Sequence, residues 1–347
     1  VEKLHGLAGY EVVRVIIPEQ ELKEGAELTL QILDARLDLV NVKGNEFFSS
    51  EQIARELHVL EPGALLNTRD MDRNLRLMND NPARTVRVSM EPSDKPGLVD
   101  ANVDVDDSEP VSAFLTLDNT GTNATGDFRL GAVLQHNNLF ERGHSASFQM
   151  VTSPGRWSEV KVYGLTYQVP FYEYDTLVEY SINDSTVNAG SLALGGSSLT
   201  INGAGTSQAL KFAHLFDRAG GYDRRLTLSF EHKKFVSRVQ FDGTGPSLVP
   251  NTASNPVGLT FTAELEEPEV QRAFSVGYFR NYFLGGENTT SQYQQENAAA
   301  QAGFDMIKFS ASTTGLLTPT WRYTAKLDGQ YSDFTLISGE RFGAGGV

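Results

Sequence analysis

A group of acidic residues is the nearest approach to a metal site in this sequence. Asp104, Asp106 and Asp107 place carboxylates at alternate and neighbouring positions, and carboxylate oxygens are ligands that Ca²⁺ takes in proteins. The alternative interpretation, which is favoured, is an acidic strand end before a hinge at Pro110. The six histidines are scattered without metal-like spacing. No metal site is therefore predicted.

Signatures of catalysis are also missing. The sequence contains no G-x-S-x-G, H-E-x-x-H or P-loop motif, and neither Gly203-Ala-Gly205 nor Gly243-Thr-Gly245 completes a dinucleotide fingerprint. There is no cysteine, which excludes disulfides, thiolate catalysis and Cys-type zinc sites. The chain is predicted not to be an enzyme and to need no cofactor.

Charge and hydropathy narrow the class of protein further. The 347 residues include 29 Lys and Arg against 44 Asp and Glu, a formal charge of −15. A broad surface that neutralises phosphates is therefore not expected, and nucleic acid is not a predicted partner. No apolar run approaches the roughly 20 residues of a membrane-spanning helix. The protein is either soluble or crosses a membrane in strands.

The first third of the chain has the pattern of small α+β units. Residues 34–107 are predicted to form one complete unit in the order strand, helix, helix, strand, strand. The pattern of its last three elements, a helix and two strands, recurs in residues 1–33. Ser49 or Ser50 is placed to cap the first helix, which is expected to run to about residue 60, and Thr68 to cap the second, over residues 69–79. The strands are expected at 37–42, 84–91 and 98–105.

Beyond Pro110 the helical period disappears and eleven strands are predicted. They fall at about 111–118, 127–136, 145–153, 159–169, 176–184, 206–216, 223–238, 257–266, 271–283, 300–312 and 320–333. Tight turns follow every second strand, whereas long polar loops at 185–205, 240–256 and 284–299 follow strands five, seven and nine. Short turns on one side and long loops on the other are typical of an outer-membrane barrel.

The last predicted strand shows the alternation most clearly. Trp321, Tyr323 and Leu327 share one face of it, and Arg322 and Lys326 share the other. Phe309 and Leu228 are expected to lie on the same apolar, lipid-facing side of the wall. Charged residues opposite the apolar faces suit a water-filled barrel and also a half-exposed soluble sheet; eleven strands of this length favour the barrel. These charged residues are Glu179, Glu231, Lys308, Lys326 and Asp328.

Several longer motifs carry a family resemblance. They are Gly9-Tyr10, Pro18-x-Gln20, Gly25-x-x-Leu28, Val42-x-Gly44, Leu117-Asp118-Asn119-x-Gly121-x-x-x-x-Gly126, Asn137-Asn138-Leu139-Phe140-x-Arg142-Gly143, Tyr167-x-x-Pro170 and Arg341-Phe342-x-x-Gly345-Gly346. In combination they resemble the outer-membrane transporters of two-partner secretion, the haemolysin secretion/activation family. Proteins of that family carry two periplasmic POTRA domains followed by a sixteen-strand barrel.

The resemblance implies a fold class and a domain organisation. The fold is expected to be α+β POTRA domains followed by an all-β transmembrane barrel, with about eleven of sixteen antiparallel strands present. Residues 1–33 resemble the C-terminal part of a first POTRA domain, 34–107 a second, and 110–347 the N-terminal part of the barrel. Arg341, Phe342, Gly345 and Gly346 resemble the start of the loop that folds into the lumen. The sequence ends before the arginine-containing tetrad of that loop, so that residue is not assigned, and five strands would be missing.

The resemblance also implies a passive transport function. A partner exoprotein would be received unfolded in the periplasm and passed through a monomeric barrel in the outer membrane of a Gram-negative bacterium. The expected partners are this exoprotein and membrane lipid, with no nucleic acid. Arg84, Val86, Arg87 and Val88 are predicted to border an exposed sheet edge to which the client adds as a strand. For Val86, Val88, Leu75 and Met78, packing in the domain's own core is the competing interpretation.

Two other classes of function stay open at this point. One is a related POTRA-barrel factor that assembles or inserts outer-membrane proteins, which further POTRA domains would favour. The other is a soluble all-β surface enzyme or adhesin, which solubility without detergent would favour.

Overall fold

The chain forms two compact units. The first is drawn from Val1–Pro110, Asn137–His144 and Pro170–Thr176, and the second from Val111–His136, Ser145–Val169 and Leu177–Val347. The computed structural model describes residues 9–10, 14–16, 31–33, 36–95, 97–121, 126–157, 160–186, 190–194, 197–201, 204–236, 250–282 and 285–343.

The described residues of the first unit include five strands and two helices. They are β1 (Arg14–Ile16), β2 (Gln31–Leu33), β3 (Arg36–Lys43), α1 (Ser50–Glu56), α2 (Thr68–Asn79), β4 (Arg84–Pro92) and β5 (Leu98–Asp107). Strands β1 and β2 pair antiparallel. Strand β5 lies at the centre of a three-stranded sheet, parallel to β3 on one side and antiparallel to β4 on the other. The predicted order of strands and helices over residues 34–107 is present, whereas most of residues 1–33, where a partial copy of this order was predicted, lie outside the described residues.

Side-chain caps decide where the two helices begin. The Ser49 hydroxyl accepts a hydrogen bond from the Gln52 N–H at 3.2 Å, so α1 begins as predicted. The cap of α2 is Asn67, whose side chain accepts from the N–H groups of Arg69 and Asp70. The prediction of Thr68 as the cap is wrong, because its hydroxyl donates to the Gly9 carbonyl instead, at 3.0 Å. Helix α1 also ends earlier than expected, at Glu56.

Apolar residues from both helices meet one face of the three-stranded sheet to form a core. Ile53 of α1, Met78 of α2 and Val103 of β5 have no exposed surface. Burial of such side chains stabilises a fold by about 1.5–3 kcal/mol each. Asp107 closes this core at one end, since its carboxylate accepts from the backbone N–H groups of Glu46, Phe47 and Phe48. That role explains part of the acidic group at 104–107.

The rest of the chain is dominated by strands. They are β6 (Val111–Asp118), β7 (Arg129–Leu139), β8 (His144–Thr152), β9 (Lys161–Phe171), β10 (Thr176–Ser185), β11 (Gly190–Leu194), β12 (Ser197–Ile201), β13 (Gly205–Ala219), β14 (Tyr222–Phe235), β15 (Thr252–Ser254), β16 (Pro256–Glu266), β17 (Val270–Asn281), β18 (Asp305–Thr318) and β19 (Trp321–Tyr331). A helix, α3 (Thr290–Glu296), and two 3₁₀ turns, Tyr172–Tyr174 and Ser338–Glu340, complete the described elements.

One sheet joins eleven of these strands in chain order from β6 to β19, with β15 as a further member beside β14. Each register that is described within it is antiparallel. The predicted eleven-strand all-β region after Pro110 is therefore confirmed. The long loops are more structured than expected: β11 and β12 form a hairpin in the first, β15 lies in the second, and α3 lies in the third.

Two neighbouring rows of residues show how the faces of this sheet differ. Across β14, β16, β17, β18 and β19, direct partners form the apolar row Leu228, Leu259, Tyr278, Ile307 and Tyr331. One position away, the partners form the polar row Thr227, Thr260, Gly277, Lys308 and Gln330. All five residues of the apolar row are exposed, whereas those of the polar row are not. The sheet therefore has an exposed apolar face and a more enclosed polar face.

Within the described part of the chain, no helix is both long enough and apolar enough to cross a membrane.

Candidate functional site

The edge of the three-stranded sheet is the first candidate site. Strand β4 pairs with β5 and with no other strand that the structure describes. An edge strand presents backbone N–H and C=O groups to which an extended peptide can add. The strand predicted to dock the client thus lies at a sheet edge. Docking itself stays a prediction.

Asn79 covers part of this edge. Its side-chain oxygen accepts from the Val86 N–H at 2.7 Å and its amide donates to the Val86 carbonyl at 3.0 Å. Val86 therefore directs its backbone groups away from β5. Successive residues of an antiparallel strand direct their backbone N–H and C=O groups to opposite sides. Val88 and Met90 therefore also direct these groups to the open side, whereas those of Arg87 bond to Asp104 in β5. The open part of the edge is Val88–Met90.

The predicted docking side chains are divided between the two faces of β4. Arg84 and Val86 are buried, Val88 is partly buried against the core, and Arg87 is exposed. Arg84 lies two positions from Val86 and so shares its inward face. Leu75 and Met78 pack in the same core. Only Arg87 of the four presents a charged side chain beside the edge.

A buried polar network, made of Gln52, Glu56, Arg84, Asn138 and Tyr172, lies behind this strand in the first unit. Arg84 Nη2 lies 2.5 Å from Glu56 Oε2 and donates to the Tyr172 hydroxyl at 2.9 Å. Gln52 donates to Glu56 at 2.7 Å and exchanges hydrogen bonds with Asn138 at 2.7 and 3.1 Å. Burial raises the pKa of the Tyr172 hydroxyl, which therefore stays protonated. The network neutralises two buried charges within the unit.

This network gives a structural reason for the turn motif around Asn138. The Asn138 side chain also accepts from the Gly143 N–H at 3.2 Å. Gly143 has φ +66, and a Cβ there would lie 2.5 Å from the Tyr172 hydroxyl. Glycine is required on both grounds. Arg55 and Arg73 add further links to the same turns, through the Glu141 carbonyl and the Asp175 carboxylate respectively.

A second buried group, the Glu340 cluster, lies on the polar face of the large sheet. It consists of Glu231, Lys233, Ser254, Lys308 and Glu340. Lys233 Nζ lies 2.8 Å from Glu231 and 3.3 Å from Glu340, and the Ser254 hydroxyl donates to Glu340 at 2.6 Å. Gln330 donates to the Glu340 carbonyl at 2.8 Å. The 3₁₀ turn that ends at Glu340 is therefore held against β14, β15 and β19.

An apolar core anchors the same segment. Tyr293 of α3 has no exposed surface and packs in one cluster with Phe304 and Ile337. The Tyr293 hydroxyl donates to the Ala253 carbonyl at 2.5 Å, and burial raises its pKa. Residues 285–304 and 332–341 thus form one packed assembly. Of the residues predicted to begin the lumen loop, Arg341 donates to the Leu336 carbonyl and Phe342 is exposed, while Gly345 and Gly346 lie outside the described residues.

These features define the class of protein. A large antiparallel sheet with an exposed apolar face and an enclosed face carrying buried ion pairs is the wall of a membrane β-barrel. An exposed apolar row across five strands does not suit a soluble sheet. The family model of the haemolysin secretion/activation protein ShlB/FhaC/HecB matches residues 97–347, well over half of the chain. The chain belongs to this family.

Individual relatives agree with this assignment. The outer membrane transporter CdiB of Dickeya dadantii (strain 3937) is 30% identical over 148 residues, which cover 40% of this chain and 26% of that protein. The heme/hemopexin transporter protein HuxB of Haemophilus influenzae (strain ATCC 51907 / DSM 11121 / KW20 / Rd) is 20% identical over 341 residues, covering 97% of this chain and 58% of that protein. The chain thus spans 26% to 58% of the length of these curated relatives.

Two solved structures share the fold. CdiB from Escherichia coli has a TM-score of 0.74 at 19% identity and covers 97% of this chain and 61% of that one. CdiB from Acinetobacter baumannii has a TM-score of 0.69 at 18% identity and covers 98% and 60%. The family and its outer-membrane relatives identify the chain as an outer-membrane protein of a Gram-negative bacterium.

The apolar face leads to a first testable prediction. Leu327 is 61% exposed near the middle of β19, so Leu327→Arg should place a charge in lipid and lower the free energy of unfolding in vesicles by about 2–4 kcal/mol. Thr324→Arg, on the polar face of the same strand, is the control and should lower the free energy of unfolding by less. Equal unfolding free energies for the two variants in a denaturant titration would contradict the lipid-facing assignment.

Proposed function

We propose that the chain is part of an outer-membrane transporter of two-partner secretion. It takes an unfolded partner exoprotein in the periplasm and passes it along the polar face of its strands to the cell surface. The observation that carries this proposal is the pairing of an exposed apolar row with an enclosed polar row across the same five strands. Such a wall separates lipid from an aqueous path.

Membership of the family and the names of the relatives support transport as the activity. CdiB and HuxB are named as transporters, and the proposal extends that activity to this chain. The domain assignment forms part of the proposal: residues 34–107 are the second POTRA domain, 1–33 the end of the first, and 110–347 barrel, with the POTRA domains in the periplasm. The order β3-β5-β4 with two helices on one face supports the POTRA assignment.

The client is proposed to enter at the open part of the β4 edge. Val88 and Met90 direct their N–H and C=O groups away from β5, which lets an extended client pair with them. Backbone pairing accepts clients of varied sequence, which suits a chain that arrives unfolded. The exposed Arg87 side chain adds a positive charge beside the new strand. Asn79 limits the site by occupying the Val86 end of the edge.

Proline at position 88 tests this entry site. Val88→Pro removes an open-side donor and leaves the ladder bonds between β4 and β5 in place. Arg87→Pro would be less informative, because Arg87 bonds to β5 and its loss would disturb the domain's own sheet. In the native bacterium, the Val88→Pro variant should reach the outer membrane at the normal level, while the amount of exoprotein in the medium falls several-fold.

Val88→Ala is the matched control, since it shortens the side chain and keeps the N–H group. It should secrete the exoprotein nearly as well as the parent. Unchanged secretion by Val88→Pro would place client docking elsewhere. Equal losses in the two variants would assign the effect to the core contacts of Val88 and would also contradict docking at this edge.

A further inference from the structure

Exposed aromatic rings lie at two short turns of the first unit. Phe140 is 74% exposed in the turn between β7 and β8, and Tyr174 is 67% exposed in the turn between β9 and β10. Phe171, the last residue of β9, is exposed as well. Because β7, β8, β9 and β10 are neighbours in the sheet, the two turns lie beside each other at one end of it. The three rings therefore belong to one region of the surface.

The backbone at Phe140 is strained. Phe140 has φ +61 and Glu141 has φ +53, and the Arg142 N–H donates to the Leu139 carbonyl across them at 3.3 Å. Positive φ at both central residues is the pattern of a type I′ turn, which asparagine and glycine usually fill. A bulky residue such as phenylalanine is unfavourable in this conformation. Its surroundings must therefore hold it there.

Polar side chains of the first unit hold this turn through its backbone. Arg55 of α1 donates to the Glu141 carbonyl at 2.6 Å. Asn81 donates to the Asn137 carbonyl, also at 2.6 Å. These bonds fix the chain on both sides of Phe140 and leave its ring exposed. The strained conformation therefore presents the ring at the surface and does not bury it.

The exposed rings continue the apolar face of the large sheet. The Phe140 ring meets the ring of His144 edge-on, with 6.1 Å between centroids. His144 begins β8 and shares a face with Phe148, because side-chain direction in a strand repeats every two residues. Phe148 and its direct partner Leu165 are both exposed. Phe171 lies on the same face of β9 as Leu165. The apolar surface thus extends from the strands to the turns.

We propose that this surface, the aromatic rim made of Phe140, Phe171 and Tyr174, inserts into the headgroup region of the periplasmic leaflet. Short turns of outer-membrane barrels lie on the periplasmic side, and aromatic rings are enriched at membrane interfaces. Glu141 and Arg142 are both exposed and carry opposite charges, so the rings and not an anionic headgroup provide the interaction. The inference rests on the proposed function, in which the apolar face of the sheet meets the membrane.

The two turns also reach into the first unit. Asn138 exchanges hydrogen bonds with Gln52 of α1, and the Tyr172 hydroxyl accepts from Arg84 of β4. Each turn thus has one side chain in the buried polar network and at least one ring outside it. Insertion of the aromatic rim therefore attaches the first unit to the membrane surface through its own buried network.

Spin labelling measures the depth of the rings. These 347 residues contain no cysteine, so Phe140→Cys and Phe171→Cys each give one labelled position in the full-length transporter, with any cysteine elsewhere replaced by serine. The transporter is inserted into vesicles of equal parts phosphatidylethanolamine and phosphatidylglycerol. Collisions of the label are then measured with oxygen, which enters lipid, and with a nickel chelate, which stays in water. Both labels should favour oxygen and lie about 5–10 Å into the headgroup–acyl boundary, the depth of apolar faces in interfacial segments.

Leu39→Cys is the matched control in the same unit. Leu39 is an exposed apolar residue beside Asp100, near the start of β5 and far from the end that leads to β6. Its label should favour the nickel chelate. A label at position 140 that favours the nickel chelate as the Leu39 label does would overturn the proposal.

Contact with the client is the competing explanation for an exposed ring. Replacement of Phe140 by p-benzoylphenylalanine keeps an aromatic ring and allows photocrosslinking in secreting cells. No adduct with the exoprotein is expected, and such an adduct would also overturn the proposal. Leu327→Cys distinguishes this failure from failure of the proposed function. If its label favours oxygen while that at 140 does not, only the aromatic rim is refuted; if its label favours the nickel chelate, the membrane function itself is refuted.

Discussion

Replacing Arg84 with methionine is expected to lower the unfolding free energy of the first unit by about 3–5 kcal/mol. Methionine keeps much of the side-chain volume and removes the charge. Glu56 is 3% exposed, so its carboxylate would be left in the interior without its ion-pair partner. The Tyr172 hydroxyl would lose its donor in the same step. Removal of one partner costs far more than the pair contributes, since desolvation of the remaining charge is no longer offset.

Hydrogen exchange of the full transporter in bilayer nanodiscs measures this effect. The amides of α1 and β4 should show the fall in opening free energy. Arg87→Met is the matched control, because Arg87 lies on the exposed face of the same strand, and it should change protection by less than about 0.5 kcal/mol. The double variant Glu56→Leu, Arg84→Met should recover part of the loss, since it buries no lone charge. Equal protection in the Arg84→Met and Arg87→Met variants would contradict the buried network.

The second large effect is expected at Glu340. Glu340→Ala removes the partner that Ser254 and Lys233 share on the polar face, and should favour release of the 3₁₀ turn by about 3–5 kcal/mol. The following residue, Arg341, is a site for trypsin. When the turn is released and rebinds faster than trypsin cleaves it, the cleavage rate is proportional to the population of the released form. Cleavage after Arg341 should therefore rise by about a hundredfold or more.

Glu287→Gln is the control for this experiment. Glu287 pairs with Lys234 at 3.0 Å, but the two side chains are 34% and 41% exposed, and exposed pairs contribute about 0–1 kcal/mol. Its cleavage rate after Arg341 should stay close to that of the parent. If Glu340→Ala is cleaved no faster than Glu287→Gln, then the apolar contacts of Ile337 and Tyr293 hold the segment without the ion pairs.

The sequence by itself determined the β-rich part of the molecule. Side-chain direction in a strand repeats every two residues, so the alternation from Trp321 to Tyr331 was readable locally. Turn residues and loop lengths then set the number of strands and the side of the sheet on which each connection lies. The same local logic located α1, because a serine preceding a helical pattern is a strong cap. It failed at α2, where Asn67 and Thr68 are both good caps and a contact with Gly9 decided between them.

Only the tertiary structure decided which polar groups meet. Arg84 of β4 was predicted to flank a docking edge, and it instead pairs with Glu56, which belongs to helix α1. The backbone of Val86 has a partner in Asn79, so the open edge begins at Val88. Lys233 and Glu340 are separated by 107 residues. No periodic pattern encodes such pairs, because they depend on how helices, turns and strands pack. The two-residue period of the strands determines which side chains share a face of the sheet, whereas tertiary packing determines which partners neutralise the buried charges.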